Sequence, residues 1–260
     1  MTRLHVENLH ASLGNKPILH DINVSLDSGQ LLGIIGMNGA GKTTLLHIMA
    51  GLLPPSNGNV WLDGEALERI NHLSRRIAYL EQSAHCHWPL EVENLVELGR
   101  LPYQGFASGL SPADKEAVEN ALQEADILHL RHRTVTQLSN GEQARVHLAR
   151  ALAVDADILL ADEPTDGLDP AHQLLVMELL RKKAQQGKAV ACILHDLPLA
   201  ARFCTTLALL HEGRIVAYGT PADVLFAENL RLTLQVEILS GSHENAHYVL
   251  PWRAVAEPGQ

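Results

Sequence analysis

Gly36-Met37-Asn38-Gly39-Ala40-Gly41-Lys42-Thr43-Thr44 is the stretch of this sequence that decides its fold. It matches the phosphate-binding pattern G-x-x-x-x-G-K-[ST] at every fixed position. The apolar run at 31–35 predicts a buried strand before it, and residues 43–50 predict a helix after it that ends at Gly51. A chance glycine-rich turn would lack these flanks. The stretch therefore predicts a site for the phosphates of a nucleotide.

Three kinds of group in this loop are expected to hold a triphosphate with Mg²⁺. Backbone N–H groups and the helix N-terminus supply partial positive charge. Lys42 is expected to reach the β- and γ-phosphates, and the Thr43 hydroxyl to ligate the metal. The predicted nucleotide-binding residues are Gly36, Asn38, Gly39, Ala40, Gly41, Lys42, Thr43 and Thr44.

Length and charge limit the class of protein. The 260 residues suit one large domain, or one domain with an inserted subdomain. The net charge of −10 argues against nucleic acid as the main partner. No run of about 18 apolar residues occurs, so no membrane span is predicted. The first seven residues lack the apolar core of a signal peptide, which predicts a location in the cytosol.

The cysteines and histidines do not predict a metal centre. Cys86, Cys192 and Cys204 are odd in number and widely spaced, which favours free thiols. Cys192 lies in an apolar run and is expected in the core. The segment His85-Cys86-His87 resembles a metal clip but lacks a second ligand pair, so a solvated or partner-facing loop is favoured.

Hydrophobic periodicity predicts an α/β fold with two additions. The first 30 residues alternate as short antiparallel strands, and the pattern from about 85 to 150 is helical. Ser111-Pro112 is a typical helix start. Strands and helices then alternate from 158 to 218, which predicts a mostly parallel sheet covered on both faces. The predicted main domain spans 1–240, with the helical subdomain inserted in its core. Residues after about Ser240 lose periodicity and are expected to be partly mobile, and 241–260 is assigned as a C-terminal tail.

Two carboxylates end the predicted strand at 158–161. Charged groups in such a place are costly without a function, and ligands bind at the strand ends of open α/β sheets. Asp162 is expected to hold Mg²⁺, and Glu163 to polarise the water that attacks the γ-phosphate. Without other motifs, the two carboxylates would be equally consistent with a solvent-exposed junction between the strand and the next loop. The nearby phosphate loop favours the catalytic interpretation.

Two further polar residues follow predicted strands. His195 comes after the strand at 189–194 and could donate a hydrogen bond to a γ-phosphate oxygen. Gln82 follows the strand at 77–80, and its amide could ligate Mg²⁺ or a water on it. Alone, His195 would be structural and Gln82 an ordinary surface residue. Because His195 and Gln82 follow predicted strands in the same way as Asp162 and Glu163, we interpret them as part of the same site.

A second anion site is predicted at 138–143, where Ser139 or Asn140 can cap the helix that follows. The chain has a single phosphate loop, so a second copy of the protein could supply the anion for this second site.

With these motifs in place, the chain resembles the nucleotide-binding subunits of ATP-binding cassette (ABC) transporters over about residues 1–225. The resemblance implies a P-loop NTPase core of the RecA-like type, with an N-terminal antiparallel β subdomain and an inserted helical subdomain. By this resemblance, the Walker A motif is 36–44, the Q-loop is Gln82 and the signature motif is 138–142. Walker B is 158–163, the D-loop is 166–169 and the switch histidine is His195.

The same resemblance implies the assembly and the activity. The family forms a head-to-tail dimer that encloses two ATP molecules. Ser139 and Gly141 would then touch the γ-phosphate bound by the other copy, and Asp169 would help to pack the interface. Dimer closure on Mg·ATP, water attack assisted by Glu163, and reopening would power transport.

Three residues depart from the family pattern. Asn140 replaces the first signature glycine, and Glu142 stands where glutamine is usual. Leu13 occupies the position of the aromatic residue that stacks on adenine. Adenine would then rest on an aliphatic surface, which suggests looser base selection. These departures leave open a degenerate cassette that only binds nucleotide.

The segments 96–102 and 194–201 resemble importer subunits for iron-siderophore, haem or cobalamin uptake. The implied partners are integral membrane permease subunits, contacted by residues 85–105, and through them a periplasmic or surface substrate-binding protein. The implied location is the cytoplasmic face of the cell membrane. An importer for another substrate class remains an alternative. A second alternative is a soluble ABC protein that clamps DNA or the ribosome. Proteins of that kind usually carry tandem cassettes, coiled coils or zinc insertions, which this chain lacks.

Overall fold

A computed structural model describes residues 2–82, 88–105, 109–243 and 246–255. The strands are β1 (Thr2–Leu13), β2 (Lys16–Asp27), β3 (Leu31–Gly36), β4 (Asn57–Leu62), β5 (Glu65–Ala66), β6 (Ile77–Leu80), β7 (Ile158–Ala161), β8 (Ala189–Ile193), β9 (Thr206–His211), β10 (Arg214–Gly219), β11 (Val236–His243) and β12 (Ala246–Ala254). The α-helices are α1 (Lys42–Met49), α2 (Leu73–Arg76), α3 (Val92–Glu97), α4 (Pro112–Glu124), α5 (Asn140–Ala153), α6 (Pro170–Gln185), α7 (Leu197–Phe203), α8 (Pro221–Val224) and α9 (Ala227–Leu234). Short 3-10 helices lie at Leu67–Arg69, Leu98–Tyr103, Leu128–Leu130 and Val135–Gln137.

A six-stranded sheet in the order β10-β9-β3-β8-β7-β6 forms the centre. Its strands run parallel except for β10, which is antiparallel to β9 at the edge. All residues of β3, β7 and β8 are buried, because helices cover both faces of the sheet. The carboxyl ends of β3, β6, β7 and β8 therefore meet at one edge, where the predicted site residues follow them.

A second sheet, in the order β2-β1-β4-β5, is antiparallel and confirms the predicted N-terminal β subdomain. Leu4 and Val6 on β1 are buried while His5 and Glu7 between them are exposed. Because side chains alternate along the strand, one face of the sheet points toward α1, and the two share an apolar core. The antiparallel sheet is thereby fixed beside the helix that follows the phosphate loop.

The inserted helical subdomain has a core of its own. Its apolar side chains come from α3, α4, α5 and the segments between them. The ion pair Arg100–Asp114 is buried in it, at 2.9 Å. Ser111 caps α4 in a reciprocal capping box with Asp114, so the predicted helix start is confirmed.

The C-terminal segment differs from the expectation. β11 and β12 form an antiparallel hairpin that runs through the boundary predicted at Ser240, and α8 and α9 precede it. Val249 on β12 is fully buried in the main core. Regular structure therefore continues past Ser240, although the periodicity of the sequence is lost there. Ser240, Gly241 and Ser242 have low strand propensity, which hid β11 from the pattern.

The structure also bears on the expectations for the cysteines and for membrane spans. Cys192 is fully buried, as predicted, and Cys192 and Cys204 are free thiols. The segment His85-Cys86-His87 lies outside the described residues. In the described part of the chain, no helix is both long enough and apolar enough to cross a membrane.

Candidate functional site

The glycine loop joins β3 to α1 as predicted, and its conformation requires glycine. Gly36 has φ 152°, and a Cβ there would lie 2.2 Å from the Leu210 carbonyl oxygen on β9. Gly41, with φ 101°, caps α1, and a Cβ there would lie 2.6 Å from Leu19 Cδ2. Both positions are closed to larger residues by their backbone and by their neighbours.

Lys42 lies across this loop. Its Nζ donates hydrogen bonds to the carbonyl oxygens of Gly36, at 2.9 Å, and Met37, at 3.0 Å. The residue is only 6% exposed. Burial lowers the pKa of the Lys42 ammonium, and the negative charges of Glu163 and Asp162 oppose that shift. The cation is therefore positioned between the loop and the carboxylates that end β7.

Asp162 is a buried carboxylate with an unused acceptor. The Tyr79 hydroxyl donates to Oδ2 at 3.3 Å, whereas Oδ1 is buried and has no hydrogen-bond partner among the described residues. Burial raises the pKa of Asp162 and the charge of Glu163 adds to the rise, while hydrogen bonds from Thr43 and Tyr79 oppose it. A buried anionic oxygen without a partner is costly. Its environment fits a cation, or water bound to one.

Glu163 is held at both carboxylate oxygens by residues that follow the neighbouring strands. Gln82 Nε2 donates to Oε2 at 2.6 Å, and His195 Nε2 lies 2.7 Å from Oε1. In the sheet, β7 lies between β6 and β8. The three residues after these strand ends therefore meet, which the sequence did not predict.

A cleft connects these groups with the glycine loop. It is lined by Leu13, Lys16, Ile18, Asn38, Gly39, Gly41, Lys42, Thr43, Thr44, Gln82, Glu163, Asp166 and His195. Ala40 is buried instead, and its carbonyl accepts a hydrogen bond from Gly213 at 3.2 Å. Lys16, Ile18 and Asp166 were not predicted. Their only sequence signal is their closeness to the turn before β2 and to the strand end at β7.

The signature residues lie elsewhere in the same chain. Ser139 caps α5, and neither it nor Gly141 lines the cleft that holds Lys42. Ser139 N and Oγ both donate to Glu142 Oε2 at 2.8 Å, and this hydrogen bonding lowers the pKa of Glu142. The carboxylate is thus part of the helix cap. One chain does not bring the two predicted anion sites together.

The segment after β7 approaches the signature helix. Asp169 caps α6: Oδ1 accepts the His172 N–H at 3.0 Å, and Oδ2 lies 2.6 Å from His172 Nδ1. The backbone hydrogen bond from His172 lowers the pKa of Asp169. A Cβ on Gly141 would lie 3.7 Å from Leu168 and 3.9 Å from His172. The D-loop and the signature motif of one chain are therefore neighbours.

In the ranges that the structure covers, no group of three or more His, Cys, Asp and Glu side chains is arranged to hold a metal ion. The acceptors beside the glycine loop are a different set, with Asp162 next to the hydroxyl of Thr43 and the amide of Gln82 nearby in the cleft. Hard oxygen ligands of this kind suit Mg²⁺.

Comparison with known proteins agrees with this geometry. Residues 19–166 match the ABC transporter family. The chain is 45% identical over 252 residues to the "Hemin import ATP-binding protein HmuV" of Pseudomonas fluorescens Pf0-1, covering 94% of this chain and 97% of that one. It is 38% identical over 231 residues to the "Ferric enterobactin transport ATP-binding protein FepC" of Escherichia coli K12, covering 88% and 85%.

Solved structures show the same fold. A chain from the inward-facing conformation of a putative metal-chelate type ABC transporter has a TM-score of 0.85 at 25% identity, with 97% and 98% of the two chains covered. The dimeric ATP-binding cassette MJ0796 bound to ADP and phosphate has a TM-score of 0.73 at 27% identity, with 84% and 98% covered. Since the family match covers more than half of the chain and the relatives nearly all of it, this protein belongs to the ABC transporter family, as an ATP-hydrolysing subunit.

Proposed function

We propose that this subunit powers the uptake of an iron chelate, haem or a ferric siderophore, through separate integral membrane permease subunits. The observation that carries the proposal is the 45% identity, over 94% of the chain, to a hemin import ATP-binding protein. The ferric enterobactin relative supports the same substrate class. Haem is the first choice because several hemin import relatives exceed the identity of that relative.

The nucleotide is held by the glycine loop. Backbone N–H groups of 36–44 surround the β- and γ-phosphates, together with the N-terminus of α1. Lys42 turns from its carbonyl acceptors toward the phosphate oxygens, which are stronger acceptors than a carbonyl. Lys42 thereby exchanges one set of hydrogen bonds for another, at little cost.

Mg²⁺ fits the acceptor set beside the loop. Thr43, Asp162 and Gln82 would hold it, directly or through water, and the unpartnered Oδ1 of Asp162 supports this assignment. When bound, the ion neutralises charge on the transferring phosphoryl group. Burial of Asp162 in turn makes the pairing with a cation favourable.

Glu163 is the proposed general base. An ionised carboxylate has about four lone-pair sites, so it can accept a hydrogen bond from water while Gln82 and His195 orient it. Its position after β7, in the same cleft as Lys42, is where such a water would attack the γ-phosphate. His195 lines the same cleft and is proposed to donate to a phosphate oxygen.

The assembly is proposed to be a head-to-tail homodimer. Ser139 and Gly141 lie outside the cleft of their own chain, at the N-terminus of α5, which is the proposed surface for the nucleotide of the other copy. The similar cassette MJ0796 was solved as a dimer. Each copy would therefore complete the nucleotide site of the other.

The partners and location follow from the proposed transport. Residues 88–105, together with 85–87 outside the described part, form the proposed face toward the permease, and Trp88 there is 74% exposed. We place the subunit on the cytoplasmic face of the membrane, with a substrate-binding protein joining through the permease. The net charge of −10 gives no reason to expect nucleic acid.

The test is purification of the tagged subunit from its own host in mild detergent, followed by reconstitution of the recovered complex in proteoliposomes. We expect polytopic membrane proteins to copurify. We also expect ATP-dependent uptake of hemin in preference to ferric enterobactin or cobalamin. Recovery of ribosomes or DNA instead would favour the soluble clamp, and uptake of an unrelated substrate would refute the iron-chelate assignment.

A further inference from the structure

Tyr79 is a polar residue of the central sheet that has no part in the hydrolysis proposed above. It lies on β6, where its partner on the parallel strand β7 is Leu160. Asp162 comes two residues after Leu160, so its side chain projects from the same face of the sheet as the Tyr79 ring. The Tyr79 hydroxyl donates a hydrogen bond to Asp162 Oδ2 at 3.3 Å. A phenol on one strand therefore contacts the carboxylate that follows the neighbouring strand.

The ring of Tyr79 is held against α1. It is half-buried and packs on the apolar core that α1 shares with the antiparallel sheet. The centroid of the His47 ring, on α1, lies 5.4 Å from that of Tyr79, and the two rings are inclined by 58°. A tilted arrangement of this kind is favourable for aromatic rings. Thr43, about one helical turn before His47, donates its own hydrogen bond to Asp162. Helix α1 therefore contacts both the phenol and the carboxylate.

The hydrogen bond between Tyr79 and Asp162 has a fixed direction. Burial raises the pKa of Tyr79, and the charge of Asp162 raises it further, so the phenol keeps its proton at neutral pH. An ionised carboxylate can only accept. Oδ2 of Asp162 is therefore engaged, whereas Oδ1 is buried and has no hydrogen-bond partner among the described residues. The contact with Tyr79 thus determines which oxygen of Asp162 remains for a cation.

We infer that Tyr79 is a positioning residue for Mg²⁺: its hydroxyl fixes the rotation of the Asp162 carboxylate, so that Oδ1 faces the metal or a water on it. The inference rests on the proposed Mg²⁺ site and adds the residue that orients its carboxylate. Mg²⁺ requires nearly ideal octahedral geometry, so a carboxylate that turns freely about its Cβ–Cγ bond holds it less well. Loss of a hydrogen bond to a metal-binding side chain typically costs about 10- to 100-fold in metal affinity.

Tyr79→Phe tests this role, because it removes only the hydroxyl and keeps the ring beside His47. Calorimetry on the full-length protein measures the affinity for a non-hydrolysable ATP analogue, first in EDTA and then with Mg²⁺. The ratio of the two affinities is the preference of the protein for the metal complex. Since 3.3 Å is long for a hydroxyl–carboxylate hydrogen bond, we expect this preference to fall by about tenfold, the lower end of the usual range. Affinity for the metal-free analogue should be unchanged, because Tyr79 does not line the nucleotide cleft.

Tyr218→Phe is the matched control. It removes a phenol hydroxyl that donates to the Ser25 carbonyl oxygen at 3.0 Å, away from the cleft, and should keep the wild-type preference for Mg²⁺. In ATP hydrolysis, Tyr79→Phe should raise the Mg²⁺ concentration for half-maximal rate by about tenfold and lower kcat at saturating Mg²⁺ by less than about threefold. A residue that only supported the fold would not separate these two quantities.

The same measurements contain the results that contradict the inference. A normal preference for Mg²⁺ in both wild type and Tyr79→Phe would overturn the role of Tyr79 alone. Equal weakening of the metal-free and the Mg²⁺-bound analogue by Tyr79→Phe would also overturn it, because the hydroxyl would then support the cleft and not the metal. If wild-type protein binds the metal-free analogue as tightly as the Mg²⁺ complex, the proposed metal site fails, and the inference fails with it.

Discussion

The contacts of Glu163, the proposed general base, come from the ends of three neighbouring strands. Its two carboxylate oxygens are held by Gln82 and His195, which follow β6 and β8 on either side of β7. Polar residues after strands could be recognised in the sequence. Their direct contact could not, because the order of strands in a sheet is set by tertiary packing and is absent from the local pattern.

We expect Glu163→Gln to bind ATP but to lose hydrolysis. An amide keeps the shape and a hydrogen-bond acceptor but is a poor base, so kcat should fall at least 100-fold, within the usual range for a lost general base. Phosphate release and ATP binding measure the two properties separately. Glu178→Gln, at an exposed position on α6, should keep the wild-type rate. Hydrolysis by Glu163→Gln at the normal rate would show that another group acts as the base.

Asp162 should limit stability at neutral pH. Its pKa is raised mainly by burial, so the folded state favours the protonated form. Such a group stabilises the fold fully below the ordinary carboxyl pKa and loses this contribution as pH rises through its own raised pKa. Without nucleotide, Asp162→Asn should therefore melt at a higher temperature than wild type at pH 7, while ATP hydrolysis is lost.

The difference in melting temperature should shrink as pH falls through the raised pKa of Asp162. It should vanish below the ordinary carboxyl range, because the wild-type side chain is then neutral as well. Calorimetry from pH 4 to 8, on protein without nucleotide, gives the profile. A variant that is less stable than wild type at pH 7 would show that attraction to Lys42 outweighs the cost of burial.

At the scale of elements, the helix starts were the most predictable features. Ser111 and Ser139 both cap helices, each with an acidic residue three positions on. Glu142 stands where the family has glutamine, and the cap turns its carboxylate onto Ser139. This outcome required side-chain geometry, since the sequence alone does not show which way Glu142 points. The hairpin of β11 and β12 was missed because its first strand has weak propensity and its stability comes from packing, as with Val249.

Arg100 is a buried cation that connects several elements of the helical subdomain. The Arg100 guanidinium donates to Asp114 at 2.9 Å and to the carbonyl oxygens of Ala153 and Val154 at 2.8 and 3.1 Å. It also lies 3.8 Å from the centre of the Tyr103 ring. These contacts join α4, the end of α5 and the 3-10 helix between α3 and α4.

Arg100→Met should destabilise the protein by about 3 kcal/mol, because it removes the paired charge from the buried Asp114 carboxylate and one donor from each of two carbonyl groups. Urea denaturation followed by circular dichroism measures the loss. Arg69→Met is the matched control, since Arg69 is exposed, and it should stay within about 0.5 kcal/mol of wild type. A cost for Arg100→Met below about 1 kcal/mol would mean that Asp114 finds sufficient donors elsewhere, such as Ser111.

At the scale of the whole molecule, the two proposed halves of the nucleotide site lie in separate places on one chain. Lys42 lies in one cleft, and Ser139 caps a helix outside it. The single phosphate loop already pointed to a second copy, so this feature could be predicted from the sequence. Each copy carries a net charge of −10, which opposes association at long range. Closure therefore requires nucleotide to bridge the copies, and moderate salt should favour it by screening the repulsion.

We expect Glu163→Gln to form a stable dimer when ATP and Mg²⁺ are added, because binding proceeds and hydrolysis does not reopen the interface. Ser139→Arg in that background should leave the protein monomeric, since the larger side chain occupies the place proposed for the partner's γ-phosphate. It should still bind ATP, because Ser139 does not line the cleft of its own chain. Ser74→Arg on α2, exposed and of the same size and charge, is the matched control and should still dimerise. Light scattering after size exclusion gives the masses, and a monomer of Glu163→Gln at saturating ATP would contradict the head-to-tail assembly.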